Sequence, residues 1–169
     1  MLTVETLRAL LGLEPHPVEG GYFAETYRST EQVPAGALPP RYGGARAVST
    51  AIYYLLTPQT FSAMHRLASD EVFHFYLGDP VEMLQLWPDG SQRVVLIGPG
   101  LEAGERPQVV VPRGIWQGAR LRAGGRFALL GTTVAPGFDY TDYETATRAA
   151  LLHSHPTAHA LILALTREN

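Results

Sequence analysis

The sequence predicts an all-β chain with short helices at its N-terminal and C-terminal ends. Three observations carry this. Roughly eight or nine short runs of β-forming and apolar residues recur at regular spacing, each closed by a Gly, Pro or Asp turn. The clear helix signals sit only near the two ends. No internal repeat or low-complexity segment interrupts the pattern. A chain of 169 residues is sized for one domain, taken as 1–169, with a substantial core. Two turn-bounded blocks of strands at this length suggest a jelly roll.

Taken in order, Thr3 to Leu11 reads as a helix. Val4, Leu7 and Leu11 share a face, Thr3 can cap the start and Gly12 can end it. It is expected to cover one end of the core. His16-Pro17 and the pair Gly20-Gly21 set a turn into an extended run through Arg28. Along it Tyr22, Ala24 and Thr26 face one way, and Phe23, Glu25 and Tyr27 the other. Glu25 among aromatics is either a pocket carboxylate or the partner of Arg28 or another arginine.

Glu31 to Arg46 is rich in Pro, Gly and Ala, which reads as a loop long enough to be a lid or a subunit contact. Strands are expected at Ala47–Leu56, Phe61–Leu67, Glu71–Leu77 and Val81–Trp87, with a turn at Pro88-Asp89-Gly90-Ser91. Further strands are expected at Arg93–Ile97, Gln108–Val111, Ile115–Leu121 and Phe127–Val134. The glycines at 98, 100 and 104 lack the spacing and following helix of a phosphate loop. Thr141 to Glu144 has the capping-box pattern, which predicts a helix to about Leu152. Ala158 to Leu165 is helix or strand.

Composition removes several chemistries. There is no Cys, so disulfides, thiolate metal sites and a cysteine nucleophile are excluded. All 13 basic residues are Arg, which excludes a Schiff-base lysine and the phosphate-loop lysine. A net charge of −3 without a basic run gives nucleic acid no footprint. No apolar stretch reaches membrane-spanning length, and Met1 to Gly12 lacks the basic start of a signal peptide. A cytoplasmic protein with neither nucleic-acid nor membrane partners is the expectation. Its chemistry must come from His, Asp, Glu, Tyr and Arg.

The stretch from Ser62 to Gly78 organises the reading. If Phe61–Leu67 and Glu71–Leu77 form a hairpin, same-face side chains of the two strands are neighbours, and His65 and Glu71 converge inside the barrel. Phe73 and Phe75 on the face of Glu71 would desolvate its carboxyl and raise its pKa toward an acid–base range. An imidazole is the side chain whose ordinary pKa lies nearest neutrality. Such a pair can move a proton at a carbon beside a carbonyl, the step common to aldose–ketose isomerases and epimerases. His65 and Glu71 are therefore the candidate catalytic residues. Tyr22, Phe73, Phe75 and Gln117 are the candidate substrate-binding residues, with Tyr76 a further hydroxyl binder. His74 reads as structural, and His153, His155 and His159 as helix-end residues favoured by the dipole. Asp139, Tyr140, Asp142 and Tyr143 either cap a helix or reach the barrel mouth.

The chain resembles the cupins. His65, Glu71 and Gly78 fit the first cupin block, with Leu67 where a second histidine is usual. Pro112 and Gly114 fit the second block, with Gln117 at its histidine position. It is similar, more closely, to a single-domain cupin family carrying HP-x-EGGYF (His16–Phe23), SDE-x-x-HFY-x-GDP (Ser69–Pro80) and APGFDY-x-DY (Ala135–Tyr143). The resemblance implies a double-stranded β-helix like that of deoxysugar epimerases, a homodimer, and sugar or sugar-phosphate isomerisation or epimerisation. A non-catalytic ligand-binding cupin and a metal-dependent oxygenase are the alternatives. It implies either no cofactor or one weakly bound divalent metal at His65, Glu71 and Gln117, because leucine cannot coordinate and an amide oxygen is a poor transition-metal ligand.

Overall fold

The computed structural model describes residues 2–168. In chain order it contains α1 (Val4–Leu11), β1 (Glu14–Pro15), β2 (Tyr22–Arg28), β3 (Gln32–Val33), β4 (Arg46–Ala47) and β5 (Thr50–Leu56). Next come β6 (Phe61–Arg66), β7 (Asp70–Gly78), β8 (Val81–Leu86), β9 (Gln92–Ile97), β10 (Gln108–Val111), β11 (Trp116–Leu121) and β12 (Ala128–Ala135). The chain ends with β13 (Glu144–Thr145), α2 (Arg148–Ser154) and α3 (His159–Ala164).

Two antiparallel sheets face each other in a jelly roll. One has six strands in the order β1-β2-β5-β12-β7-β10, the other five in the order β13-β6-β11-β8-β9. Alternation along each strand sends one set of side chains inward. Tyr54, Phe73, Met83, Ile97 and Leu130 form the core between the sheets. The outer face of the six-stranded sheet is covered by α1, whose Leu7 packs with Leu13, Leu55 and Leu129. The expected caps hold: Thr3 accepts from the Thr6 amide, and Gly12 takes the left-handed conformation at the other end. The outer face of the five-stranded sheet is covered by α2 and α3, through Leu151, Ile162 and Leu165 on Met64, Leu84 and Leu86.

The expected hairpin between residues 61–67 and 71–77 does not form. β6 belongs to the five-stranded sheet and β7 to the six-stranded one, so the chain crosses from one wall of the barrel to the other between them. β6 pairs with β11 and β13; β7 pairs with β12 and β10. A short polar break is compatible with a tight turn and with a sheet change alike, and the choice is made by which edges bury the flanking strands.

Two bulges correct the simple two-fold alternation. In β2 the register slips between Glu25 and Tyr27, so Arg28, not Tyr27, joins Phe23 and Glu25 on the inner side, while Tyr27 is exposed. Opposite β11 the register of β6 also shifts, so Ser62 and His65, three positions apart, both point inward while Met64 points out.

The C-terminal helix starts later than the capping-box reading predicts. Thr147 caps α2, and Tyr140–Asp142 is a single 3-10 turn capped by Asp139. Asp142 is taken by a different partner: its two oxygens receive Arg46 Nε at 2.7 Å and Nη2 at 2.6 Å, with the side chains 5% and 6% exposed. Glu144 instead extends the sheet beside β6 and pairs with Arg66. The loop before β4 is thereby joined to the segment after β12. Gly137 N donates to Ala47 O, and Phe138 N to Thr50 Oγ1. A bidentate pair this buried is costly to break one-sidedly. Arg46→Met should lower unfolding free energy by about 3–5 kcal/mol by leaving the Asp142 charge unpaired. Adding Asp142→Leu should recover most of that loss, both read by urea denaturation.

Candidate functional site

One cavity of about 260 Å³ opens between the sheets at the end where β2, β5, β6, β7 and β12 meet the turn at residues 16–19 and the segment 138–140. His65 and Glu71 both line it. They arrive from opposite walls, on β6 and β7, and are 2% and 7% exposed.

Glu71 is the most perturbed carboxyl here. Burial raises its pKa from 4.5 to about 6 and the nearby Glu19 charge adds to the rise, while His65 and the hydrogen-bonding Gln117 and Thr132 oppose it. Gln117, on β11 directly across from His65, donates Nε2–H to Glu71 Oε2 at 2.7 Å. That bond ties the two sheets together inside the barrel.

His65 is fixed on two sides. Nδ1 lies 2.7 Å from Ala63 O, and since a carbonyl can only accept, Nδ1 carries the proton. In the neutral ring Nε2 is therefore bare. The ring of Tyr143 stacks on the imidazole, with centroids 4.8 Å apart and planes 14° apart. Among the described residues the buried Tyr143 hydroxyl finds no hydrogen-bond partner, and burial holds its pKa well above the usual phenol value.

The sequence motif HP-x-EGGYF supplies the rest. Glu19 accepts from Ser62 Oγ, and its Oε2 lies 3.9 Å from His65 Nε2 and 4.0 Å from His16 Nε2. Arg167 donates to the carbonyls of Val18 and Glu19, and Tyr54 Oη to that of Gly20. Gly20 and Gly21 both have positive φ, and a Cβ at Gly20 would run into the Phe61 carbonyl. The glycine pair is what lets Glu19 approach the barrel interior. Spacing alone gave no role to Glu19 or His16. The signal was there in a carboxylate placed immediately before two glycines.

The other expected site residues separate. Gln117 joins the cluster through Glu71. Tyr22 does not line the cavity: it sits on the outer face of β2, under α1 and beneath Arg8, because Phe23 takes the inward position. Phe73 and Phe75 point into the barrel, as alternation with Glu71 predicts, but they belong to the packed core beside the cavity rather than to its lining. Tyr76 is half exposed on the outer face, against Tyr53 and His74. His74 bonds Thr133 Oγ1 and is structural. His155 is buried between Ser154 and Trp87 O. Both readings of the late aromatic–acid segment hold in part: Asp139 caps the 3-10 turn, and it lines the cavity together with Tyr140. Glu25 meets both of its readings, lining the mouth while holding Arg28 in a bidentate pair.

The donor set does not fit a tightly held transition metal. His65 supplies one bare imidazole nitrogen. Leu67 lines the cavity where a second imidazole would serve. His16 Nδ1 is occupied by backbone N–H groups. The Gln117 amide nitrogen is turned to Glu71. Two histidines and a carboxylate with open positions are the usual minimum for such chemistry. Among the described residues no group of three or more His, Asp or Glu is arranged around a cation position.

A two-sheet jelly roll with a polar cluster facing an interior cavity defines a cupin-type barrel. The chain belongs to the Cupin superfamily (DUF985), whose family model matches residues 5–146. It is similar to a hypothetical protein from Leishmania major (35% identity, TM-score 0.88, covering 99% of this chain and 100% of that one). It is similar also to protein SO0799 from Shewanella oneidensis (34% identity, TM-score 0.87, both chains covered in full). An uncharacterised protein of Saccharomyces cerevisiae is 32% identical over 135 residues, 74% of this chain and 66%, just under two thirds, of the yeast protein. No helix among the described residues is long and apolar enough to cross a membrane.

The Glu71 shift has a sign that can be checked. A carboxyl whose pKa is raised on folding holds its proton more tightly when folded, so its contribution is full below about pH 4.5 and is lost as pH rises through about 6. The rise corresponds to about 2 kcal/mol. Glu71→Gln cannot ionise and should escape that loss. The stability difference, variant minus wild type, should grow by up to about 2 kcal/mol between pH 4.5 and pH 8 in urea titrations.

Proposed function

We propose that this cupin binds a small hydroxylated carbonyl compound and moves a proton at the carbon next to its carbonyl, as an isomerase or epimerase does. The observation that carries this reading is the placement of a bare imidazole nitrogen and a carboxyl of pKa about 6 on opposite walls of one cavity. His65 Nε2 removes the proton, the C–H electron pair moves into the carbonyl oxygen, and the enediolate is then reprotonated. Return from His65 to the neighbouring carbon, with the hydroxyl proton passing to the former carbonyl oxygen, gives an isomer. Delivery to the other face of the same carbon gives an epimer, and Glu71, facing His65 from the other sheet, is the group placed for it. A working pKa near the operating pH suits the Glu71 role. Thr50 and Thr132, inward on β5 and β12, offer hydroxyls for the substrate's own.

The test is proton exchange in D₂O followed by NMR, with glyceraldehyde, dihydroxyacetone, and a panel of aldoses and ketoses. Wild-type protein should wash out the proton beside the carbonyl of at least one compound, and epimerisation, which needs protonated Glu71, should lose rate as pH rises through about 6. His65→Asn should slow exchange by about 100-fold or more, and treatment with a chelator should leave it unchanged. A compound that raises the melting temperature but never exchanges would favour a binding module over an enzyme. Rates that vanish with chelator and return with a divalent cation would favour the metal reading.

A further inference from the structure

The cavity holds two imidazoles, and the backbone fixes them in opposite tautomers. His65 Nδ1 faces a carbonyl, so its proton sits there and Nε2 is bare. His16 Nδ1 faces backbone donors instead: the Glu19 amide at 2.9 Å and the Val18 amide at 3.3 Å. An N–H donor needs a lone pair, so Nδ1 of His16 is unprotonated and its neutral ring carries the proton on Nε2. The His16 side chain is 5% exposed, with Phe23 and Tyr140 rings around it. Burial, His65 and Arg167 press its pKa down against the pull of Glu19, which keeps the ring neutral.

Both Nε2 atoms look toward the same oxygen. Glu19 Oε2 lies 4.0 Å from one and 3.9 Å from the other, too far for a hydrogen bond to either. An N–H donor and a bare nitrogen therefore converge on one edge of the cavity without being used up by the protein. The charges around them are one-sided. Glu19, Glu25, Glu71 and Asp139 line the space or its mouth, and the lining's one arginine, Arg28, is already held bidentately by Glu25.

We propose that His16 is a further catalytic residue, donating Nε2–H to the carbonyl oxygen of an uncharged hydroxy-carbonyl compound whose adjacent carbon faces His65. This rests on the proton-transfer reading above and narrows it to the free compound rather than its phosphate ester. As the C–H bond breaks and its electrons reach the oxygen, the His16 N–H stabilises the growing negative charge. A neutral imidazole does this without surrendering its proton to the oxygen. Glu19 fixes the mutual approach of the two rings, and its charge turns an added phosphate away.

Long-range ¹H–¹⁵N NMR on the intact chain at pH 7.5 reads both tautomers, with signals assigned by His16→Gln and His65→Asn. His16 should be neutral with its proton on Nε2, and His65's neutral form should carry it on Nδ1. Calorimetry with glycolohydroxamate, an uncharged enediol mimic, should show binding to wild type. The affinity should be kept within a few fold in His16→Gln, whose amide N–H can occupy the Nε2 position, and lowered by about tenfold or more in His16→Phe. The phosphorylated hydroxamate should bind more weakly than the uncharged one. A cationic His16, a proton on its Nδ1, no binding to wild type, equal binding to His16→Phe, or tighter binding of the phosphate ester would each overturn the proposal. The sugar panel can fail to exchange while the hydroxamate still binds through His16, so this assignment and the isomerase reading fall separately.

Discussion

The site depends on one buried carboxylate that the fold keeps out of water. Glu71 stands on an inner face with Phe73 and the core beneath it, and a 2.7 Å side-chain hydrogen bond reaches it from Gln117 on the opposite sheet. Burying an ionisable group is expensive unless it is paired or hydrogen-bonded. A neutral amide offsets only part of that cost, which is why the carboxyl titrates near 6 rather than in the ordinary range. Were an arginine in Gln117's place, the barrel would be firmer and Glu71 would be a permanent anion. The amide leaves the group able to hold or release a proton.

Around it the structure spends polar side chains on position. Arg46 and Asp142 fasten the segment that brings Asp139, Tyr140 and Tyr143 over the cavity. Arg167 and Tyr54 hold the turn that brings Glu19 in from the side. Neither group of residues touches the cavity's chemistry directly. Their effect is to hold His65, Glu71, His16 and Glu19 on rigid strands and a pinned turn, the arrangement that precise acid–base geometry requires.

The comparison of His65 with His16 shows what decides an imidazole's role. Both are buried and both face Glu19. One meets a carbonyl and the other meets amides, and this backbone contact sets which nitrogen of each neutral ring carries the proton. In the same way Leu67 lines the cavity where another imidazole would extend the metal-binding donor set, and leucine offers no ligand atom.

The sequence by itself determined most of the strand runs, the turns between them, the Thr3 and Gly12 caps of the first helix, and the shared inward face of Glu71 and Phe73. These follow from local rules: period-two alternation, positive-φ glycines and capping hydroxyls act within a few residues. Tertiary structure alone decided which sheet each strand joined. It placed β6 and β7 on opposite walls rather than in a hairpin, and slipped β2 at Thr26 so that Arg28 replaced Tyr27 inside. It also moved Tyr22 to the outer face, drew Asp142 away from helix capping to Arg46, and brought Glu19 and His16 to the cavity. Pairing partners, bulges and buried ion pairs are settled by the burial of surfaces contributed by segments distant in sequence, and no window of neighbouring residues contains that information.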